Sequence, residues 1–276
     1  MPFPRATNSL LALARGLTLI LVTATSLALP VRAADTSDAA AKAVVKGRAL
    51  AELVRTQRPD RAAASRGILK TRTADGRRVS VPLEVRVEID THSWKTIYRA
   101  SFLDGRVETL TVENLEDASP RFALRRATAG GQVTEIRPER AGQWFAPFAA
   151  TDFWFVDLGM AFLHWPEQRW LGTETRRTRL CNMLESVNPT PAPGAYKRVV
   201  TWVDEKTAGI VRAEAYDAQD KLLKEFSPGS FAKVGTRYEL RDMEIRNEQT
   251  DSRTTLVFEI DDPEKLGVKH LPANPN

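Results

Sequence analysis

Cysteine is nearly absent from this chain of 276 residues. Cys181 stands alone, so no intramolecular disulfide can form even where an oxidising compartment would permit one. It lies far from the start, is not read as the carrier of an N-terminal lipid, and fits a small buried hydrophobe. Histidine is scarce as well: His92, His164 and His270 are scattered, whereas zinc sites announce themselves by close ligand pairs. The serine-hydrolase elbow Gly-x-Ser-x-Gly is missing, since Pro228-Gly229-Ser230-Phe231 lacks the second glycine. Phosphate loops and dinucleotide fingerprints are missing too, and Gly130-Gly131 reads as a turn. Carboxylate pairs such as Glu84 with Glu88, or Asp261 with Asp262, read as solvated faces and turns. These absences leave no catalytic residue, no metal ligand set and no cofactor, and the chain is read as a non-enzyme.

Concentrated positive charge is also lacking. The net charge is +5, from 40 Lys and Arg against 35 Asp and Glu. Arg5 and Arg15 precede a mostly apolar run, Gly16 to Leu29, and Pro30-Val31-Arg32-Ala33 ends in small residues. A basic start, a short apolar middle and a small-residue end make a secretory signal, with cleavage expected after Ala33. The run is shorter than the ~20 apolar residues of a membrane-spanning helix, and Thr18, Thr23, Thr25 and Ser26 interrupt it. Residues 1–33 hold Arg5, Arg15 and Arg32 and no acid, so 37 basic and 35 acidic residues remain beyond them. Without a Lys/Arg stripe the electrostatic footprint of a nucleic-acid binder is missing.

What is present begins with an Ala/Val/Leu-rich stretch that predicts one amphipathic helix over about 38–57, ending at Arg58-Pro59. Its candidate core residues are Val44, Val45, Leu50, Leu53 and Val54. From Ile68 the period changes to two: Val79, Val81, Leu83, Val85, Val87 and Ile89 alternate with polar residues, the mark of a half-buried strand. Pro82, on the polar side, predicts an edge or a bulge. Asp75-Gly76 and Asp104-Gly105 are two-residue turn signals, predicting hairpins of 66–74 with 78–90 and of 94–103 with 106–113. Further strands are expected over Tyr196–Val203, Ile210–Tyr216, Tyr238–Asn247 and Arg253–Ile260. Many short neighbouring strands and few helices give a mainly β (α+β) chain with an antiparallel sheet that is strongly curved or barrel-like. The expected organisation is a signal over 1–33, a helix and linker over 34–65, one β domain over 66–262 and a tail over 263–276.

Between the two sets of strands, residues 141–170 hold nine of the seventeen Phe and Trp residues. Thr151 or Asp152 is positioned to cap a helix whose next dozen residues carry one charge, Asp157. Such a helix needs cover on every side. It reads either as a core plug for the curved sheet or as one wall of an apolar cavity for acyl chains. In the second reading Phe153, Trp154 and Phe162 on the helix, with Trp144 and Phe148 on its approach, are the lipid-binding residues, and Asp152 is the structural cap.

The second half of the chain resembles the outer-membrane lipoprotein-sorting family, relatives of the LolA carrier. The marks are Thr151-Asp152-Phe153 with Asp157-Leu158, Trp202-Val203-Asp204, Tyr216-Asp217 followed by Lys221-Leu222-Leu223-Lys224, Met243-Glu244-Ile245-Arg246-Asn247 with Thr250, and Arg253-Thr254. The likeness covers roughly 70–260, and Cys181 sits where such proteins often have a cysteine. It implies an unclosed, strongly curved antiparallel sheet, a half-barrel, with helices over its concave face. It further implies a periplasmic protein that binds an acyl lipid or an acylated lipoprotein during transfer towards the outer membrane, with an inner-membrane transporter as a further partner and no catalysis. An envelope sensor or adaptor built on the same fold is the alternative.

Overall fold

The computed structural model describes residues 32–259, apart from 117 and 235–236. The expected signal up to residue 31, the tail and His270 lie outside the described residues, and Arg32 and Ala33 open the first helix. The first helix, α1 (Arg32–Arg55), precedes six strands: β1 (Ala63–Arg72), β2 (Arg78–Ile89), β3 (Ser93–Ser101), β4 (Val107–Leu115), β5 (Arg121–Ala127) and β6 (Val133–Ile136). A linker follows, with single turns of 3-10 helix at Ala141–Phe145 and Ala161–His164 around a one-turn helix, α2 (Phe155–Leu158). Nine more strands complete the described chain: β7 (Glu167–Arg176), β8 (Arg179–Val187), β9 (Arg198–Asp204), β10 (Ile210–Tyr216), β11 (Leu222–Pro228), β12 (Phe231–Val234), β13 (Arg237–Leu240), β14 (Asp242–Asn247) and β15 (Ser252–Phe258).

Thirteen strands form one antiparallel sheet, ordered β6-β5-β4-β3-β2-β1-β15-β14-β11-β10-β9-β8-β7. The sheet is therefore two meanders joined where the first strand meets the last, with Gly67 opposite Phe258 and Arg72 opposite Arg253. It does not close, and its free edges are β6 and β7, which are consecutive in sequence. Register shifts in β7 at Trp170/Gly172 and in β10 at Ile210/Arg212 and Ala215/Tyr216 bend the second half, as bulges do. This is the mainly β, unclosed antiparallel architecture expected from the sequence.

Local chemistry sets the hairpins. Both Asp-Gly signals mark turns, but the loops hold three residues, not two. Thr73 N–H donates to Arg77 O at 2.9 Å and Phe102 N–H to Arg106 O at 2.9 Å, each enclosing a loop that ends in a glycine with φ near +82°. Thr128 and Gln132 close a third loop of the same kind over Gly131. A type I turn followed by one left-handed residue favours glycine in that last place. Pro82 stands opposite Ile68 of β1, while β3 begins pairing only at Leu83. The proline thus occupies a local edge inside a long strand, where its missing N–H costs no ladder bond.

α1 packs through Gly47, Leu50, Ala51 and Val54, all buried, while Val45 and Leu53 are exposed. That corrects two of the expected core positions: the buried stripe runs i, i+3, i+4, i+7, and Val45 and Leu53 fall outside it. Gly47 lets the helix backbone reach β7, because a Cβ there would lie 2.6 Å from the Arg169 backbone. Lys46 adds its ammonium over the Trp170 ring at 3.6 Å.

The core lies between the sheet's concave face, α1 and the linker, and includes Leu69, Leu83, Leu110, Leu124, Leu184, Ile245 and Leu256. A smaller cluster of Cys181, Val200, Trp202 and Val211 packs separately, and burial raises the Cys181 thiol above its usual range.

Alanine is a better helix former than glycine by about 1 kcal/mol, but overpacking costs ~1–3 kcal/mol. Gly47→Ala is therefore expected to lower the urea midpoint of unfolding, and a raised midpoint would show that α1 does not dock through this glycine.

Candidate functional site

Because β6 and β7 are opposite edges of one open sheet, residues 137–166 must travel from edge to edge. They do so across the concave face, and their aromatic side chains fill it. The expected dozen-residue helix is absent: α2 is one turn, Gly159 follows it, and Met160 is left-handed with φ 46°. Ala149 and Ala150 also have positive φ, and Pro147 and Pro166 bound the stretch. The break after α2 has a packing cause, since a Cβ on Gly159 would meet the Phe122 ring at 2.7 Å. Trp170 belongs to β7.

Asp152 does not cap α2. The N-cap residue is Trp154, and Asp157 reaches back so that its Oδ2 accepts the Trp154 N–H at 2.9 Å. The carboxylate of Asp152 is instead taken by β15, accepting from Ser252 Oγ at 2.5 Å and Thr254 Oγ1 at 2.9 Å. Two hydroxyls on one strand outcompete a helix too short to need the cap, and Asp152 becomes a tether between linker and sheet.

The five expected lipid contacts separate into two groups. Phe153 and Phe162 are buried and line a cavity of about 530 Å³ on the concave side. Trp144, Phe148 and Trp154 stand behind that wall. Trp144 packs on Phe122, with centroids 5.5 Å apart, and its Nε1 donates to Pro138 O. Phe148 packs on Tyr98. Trp154 stacks on Tyr196 at 5.0 Å and takes the edge of Phe145.

The cavity lies within the range usual for small-molecule sites, about 300–1,000 Å³, and shares their mostly apolar walls. Trp94 and Tyr98 of β3, Ile210, Ala213 and Ala215 of β10, Phe226 of β11 and Met243 and Ile245 of β14 face it. Val54 and Arg55 close it on the α1 side. Met160, and Phe231 at the start of the β12–β13 hairpin, line it while staying exposed, and mark where it reaches solvent.

Sequence reasoning gave no role to the polar knot in this wall. Lys224 is 2% exposed. Its Nζ donates to Asp152 O at 2.6 Å and to Asp157 Oδ2 at 3.4 Å, and lies 3.3 Å above the Trp154 ring. Tyr196 OH donates to Asp157 Oδ1 at 2.8 Å. Burial pulls the Lys224 ammonium down to about 8, against the opposing pull of Asp157 and Asp152. Burial and Asp157 push the Tyr196 phenol well above its usual range. The available signal was the alternation of β11, in which Lys224 shares a face with Phe226, a lysine at an inward position. His164, half-buried by the cavity, is lowered to about 4 by desolvation and by Arg55 and is neutral at neutral pH. Among the described residues no three His, Cys, Asp or Glu side chains are grouped to hold a metal, and no helix is long and apolar enough to cross a membrane.

Solved structures share this architecture. A DUF1329 family protein from Desulfovibrio piger matches with a TM-score of 0.64 at 17% identity, over 79% of this chain and 91% of that one. A domain described as an outer membrane lipoprotein-sorting protein from Vibrio parahaemolyticus also gives 0.64 at 17% identity, over 79% and 92%. A LolA superfamily protein from Nitrosomonas europaea gives 0.52 at 13% identity, over 80% and 91%. The fold is that of the LolA-type lipoprotein-sorting proteins. A family model described only as an uncharacterized protein matches residues 131–265, and no curated protein matches the sequence. In this LolA-type fold the linker holds the place over the concave face that the sequence marks implied for covering helices.

Removing Lys224 leaves Asp157 buried without its cation, which costs ~3–5 kcal/mol, so Lys224→Met is expected to lower the unfolding midpoint sharply. A lysine whose pKa falls on folding opposes stability fully below the folded value, and that opposition is relieved as pH rises from the folded value towards the unfolded one. Relative to Lys224→Met, the wild type should gain stability between about pH 8 and 10, by up to ~2 kcal/mol. Parallel profiles in that window would show that the ammonium is not buried in this way.

Proposed function

We infer that the protein is a non-catalytic periplasmic carrier, holding an acyl chain of a lipid or lipoprotein in the cavity during transfer towards the outer membrane. The observation that supports this reading is the cavity itself: an open, mainly apolar space under a pinned aromatic wall, whose carboxylate Asp157 is already committed to Lys224, Tyr196 and the Trp154 amide. Each methylene moved from water into such a wall is worth about 0.8 kcal/mol. Ten to fifteen of them supply roughly 8–12 kcal/mol before the cost of ordering the chain, which takes part of it. Binding therefore needs no covalent step.

Phe153 and Phe162 are the proposed acyl contacts, while Trp144, Phe148 and Trp154 hold the wall behind them and Asp152 tethers it to β15. An export signal ending at Ala33, with one β domain over 66–262, belongs to the same proposal. An inner-membrane transporter is a further proposed partner, and the periplasmic placement rests on the signal-like start and on the LolA-type fold.

Ala213 and Ala215 of β10 line the cavity with the smallest side chains available there, so Ala215→Trp occupies the space a chain would take. Uptake of a neutral fluorescent acyl probe is expected in the wild type and should be about tenfold weaker in Ala215→Trp, provided circular dichroism shows both folded. Equal uptake by the two would place the lipid elsewhere. A wild type that takes up no probe while retaining one membrane protein would replace the carrier with an adaptor.

A further inference from the structure

Among the described residues two cations line the cavity, Lys224 and Arg55, and they differ in how they are satisfied. Lys224 has the Asp152 carbonyl, the Asp157 carboxylate and the Trp154 face. Asp157 is the carboxylate of the lining, and its remaining bonds go to Tyr196 OH and the Trp154 amide. The charges of Lys224 and Asp157 therefore cancel locally. Arg55, in the last turn of α1, is half-buried. Among the described residues its guanidinium makes neither an ion pair nor a hydrogen bond. The negative end of the helix dipole offsets its charge only in part.

A guanidinium held against an apolar wall without a counter-charge is costly, and its planar fork matches a carboxylate or phosphate. Its surroundings suit such a group. His164 is neutral beside it, and the uncharged amides of Gln57 and Asn114 line the same cavity, so among the described residues no acid of the lining is committed to this place.

We propose that Arg55 receives the head of the ligand, and that the ligand is a single-chain amphiphile with one anionic head, a carboxylate or a phosphate monoester, its chain lying along Phe153, Phe162, Ala215 and Met243. This rests on the carrier reading and narrows it to a chemical class. A neutral head would leave Arg55 unpaired, and a cationic head would be repelled by it.

The test displaces a neutral fluorescent acyl probe from the full exported chain at low salt, using three competitors of equal length: palmitate, monopalmitoyl phosphatidate and monopalmitoyl glycerol. The two anionic competitors are expected to displace the probe at about tenfold lower concentration than the glycerol ester. Arg55→Gln should bring the three together, and Arg55→Lys should restore part of the difference. The order of the two anionic competitors separates carboxylate from phosphate as the preferred head. Equal displacement by all three in the wild type overturns the proposal while leaving the carrier intact, as does an anionic preference that survives in Arg55→Gln. If the wild type takes up no acyl probe, the carrier fails and the head receptor falls with it. Should Arg55→Gln not fold, the preference in the wild type and its value in Arg55→Lys still decide.

Discussion

The pairing of β1 with β15 decides where everything else lies. It sets the first and last strands of the sheet side by side in its middle, from Gly67 opposite Phe258 to Arg72 opposite Arg253. The two sequence neighbours β6 and β7 become the outer edges. The chain between them has to cross an open concave face. Thirty residues crossing such a face must be apolar enough to bury and anchored enough not to collapse onto it. The aromatic content of 141–170 answers the first demand. The ties from Asp152 to β15 and from Lys224 to Asp157 and the Asp152 carbonyl answer the second. Between the pinned linker, α1 and the facing strands of both meanders a space remains, and that space is the cavity.

Much of the sheet was legible because period-two alternation and Asp-Gly turns are local signals. Val81 and Leu83 point inward and Ser80 outward as the pattern requires, and the hairpins fall where the turn residues stand. The long-range β1–β15 pairing has no local signal, and neither does the identity of the edge strands. The dozen residues after Asp152 read as one helix because their apolar side chains resemble a buried helix in composition. The cues against that reading, Gly159 and the prolines at 147 and 166, gain force only once Phe122 is seen against Gly159. Val45 and Leu53 were assigned to the core because composition marks apolar residues without saying which side of a helix meets the sheet.

The candidate site was legible in part. Phe153 and Phe162 emerged from the density of aromatics, whereas Trp144, Phe148 and Trp154 share that density and stand behind the wall. Sequence spacing cannot separate a ring that lines a cavity from one that supports it. Lys224 of β11, Asp157 of α2, Tyr196 of the loop before β9 and Arg55 of α1 are far apart in the chain, and only the fold brings the first three into contact and sets Arg55 on the same cavity. Their arrangement gives the wall a neutralised pair and one cation that has no counter-charge among the described residues, a distribution that can hold a ligand by shape and one charge.

The most direct test of the account is native mass spectrometry of the protein purified from the periplasm of an expressing cell, followed by organic extraction. The account predicts a mass above that of the polypeptide, lost on extraction and recovered as an acyl lipid. A preparation that shows the polypeptide mass alone, and gains none after incubation with lipid vesicles, would contradict it.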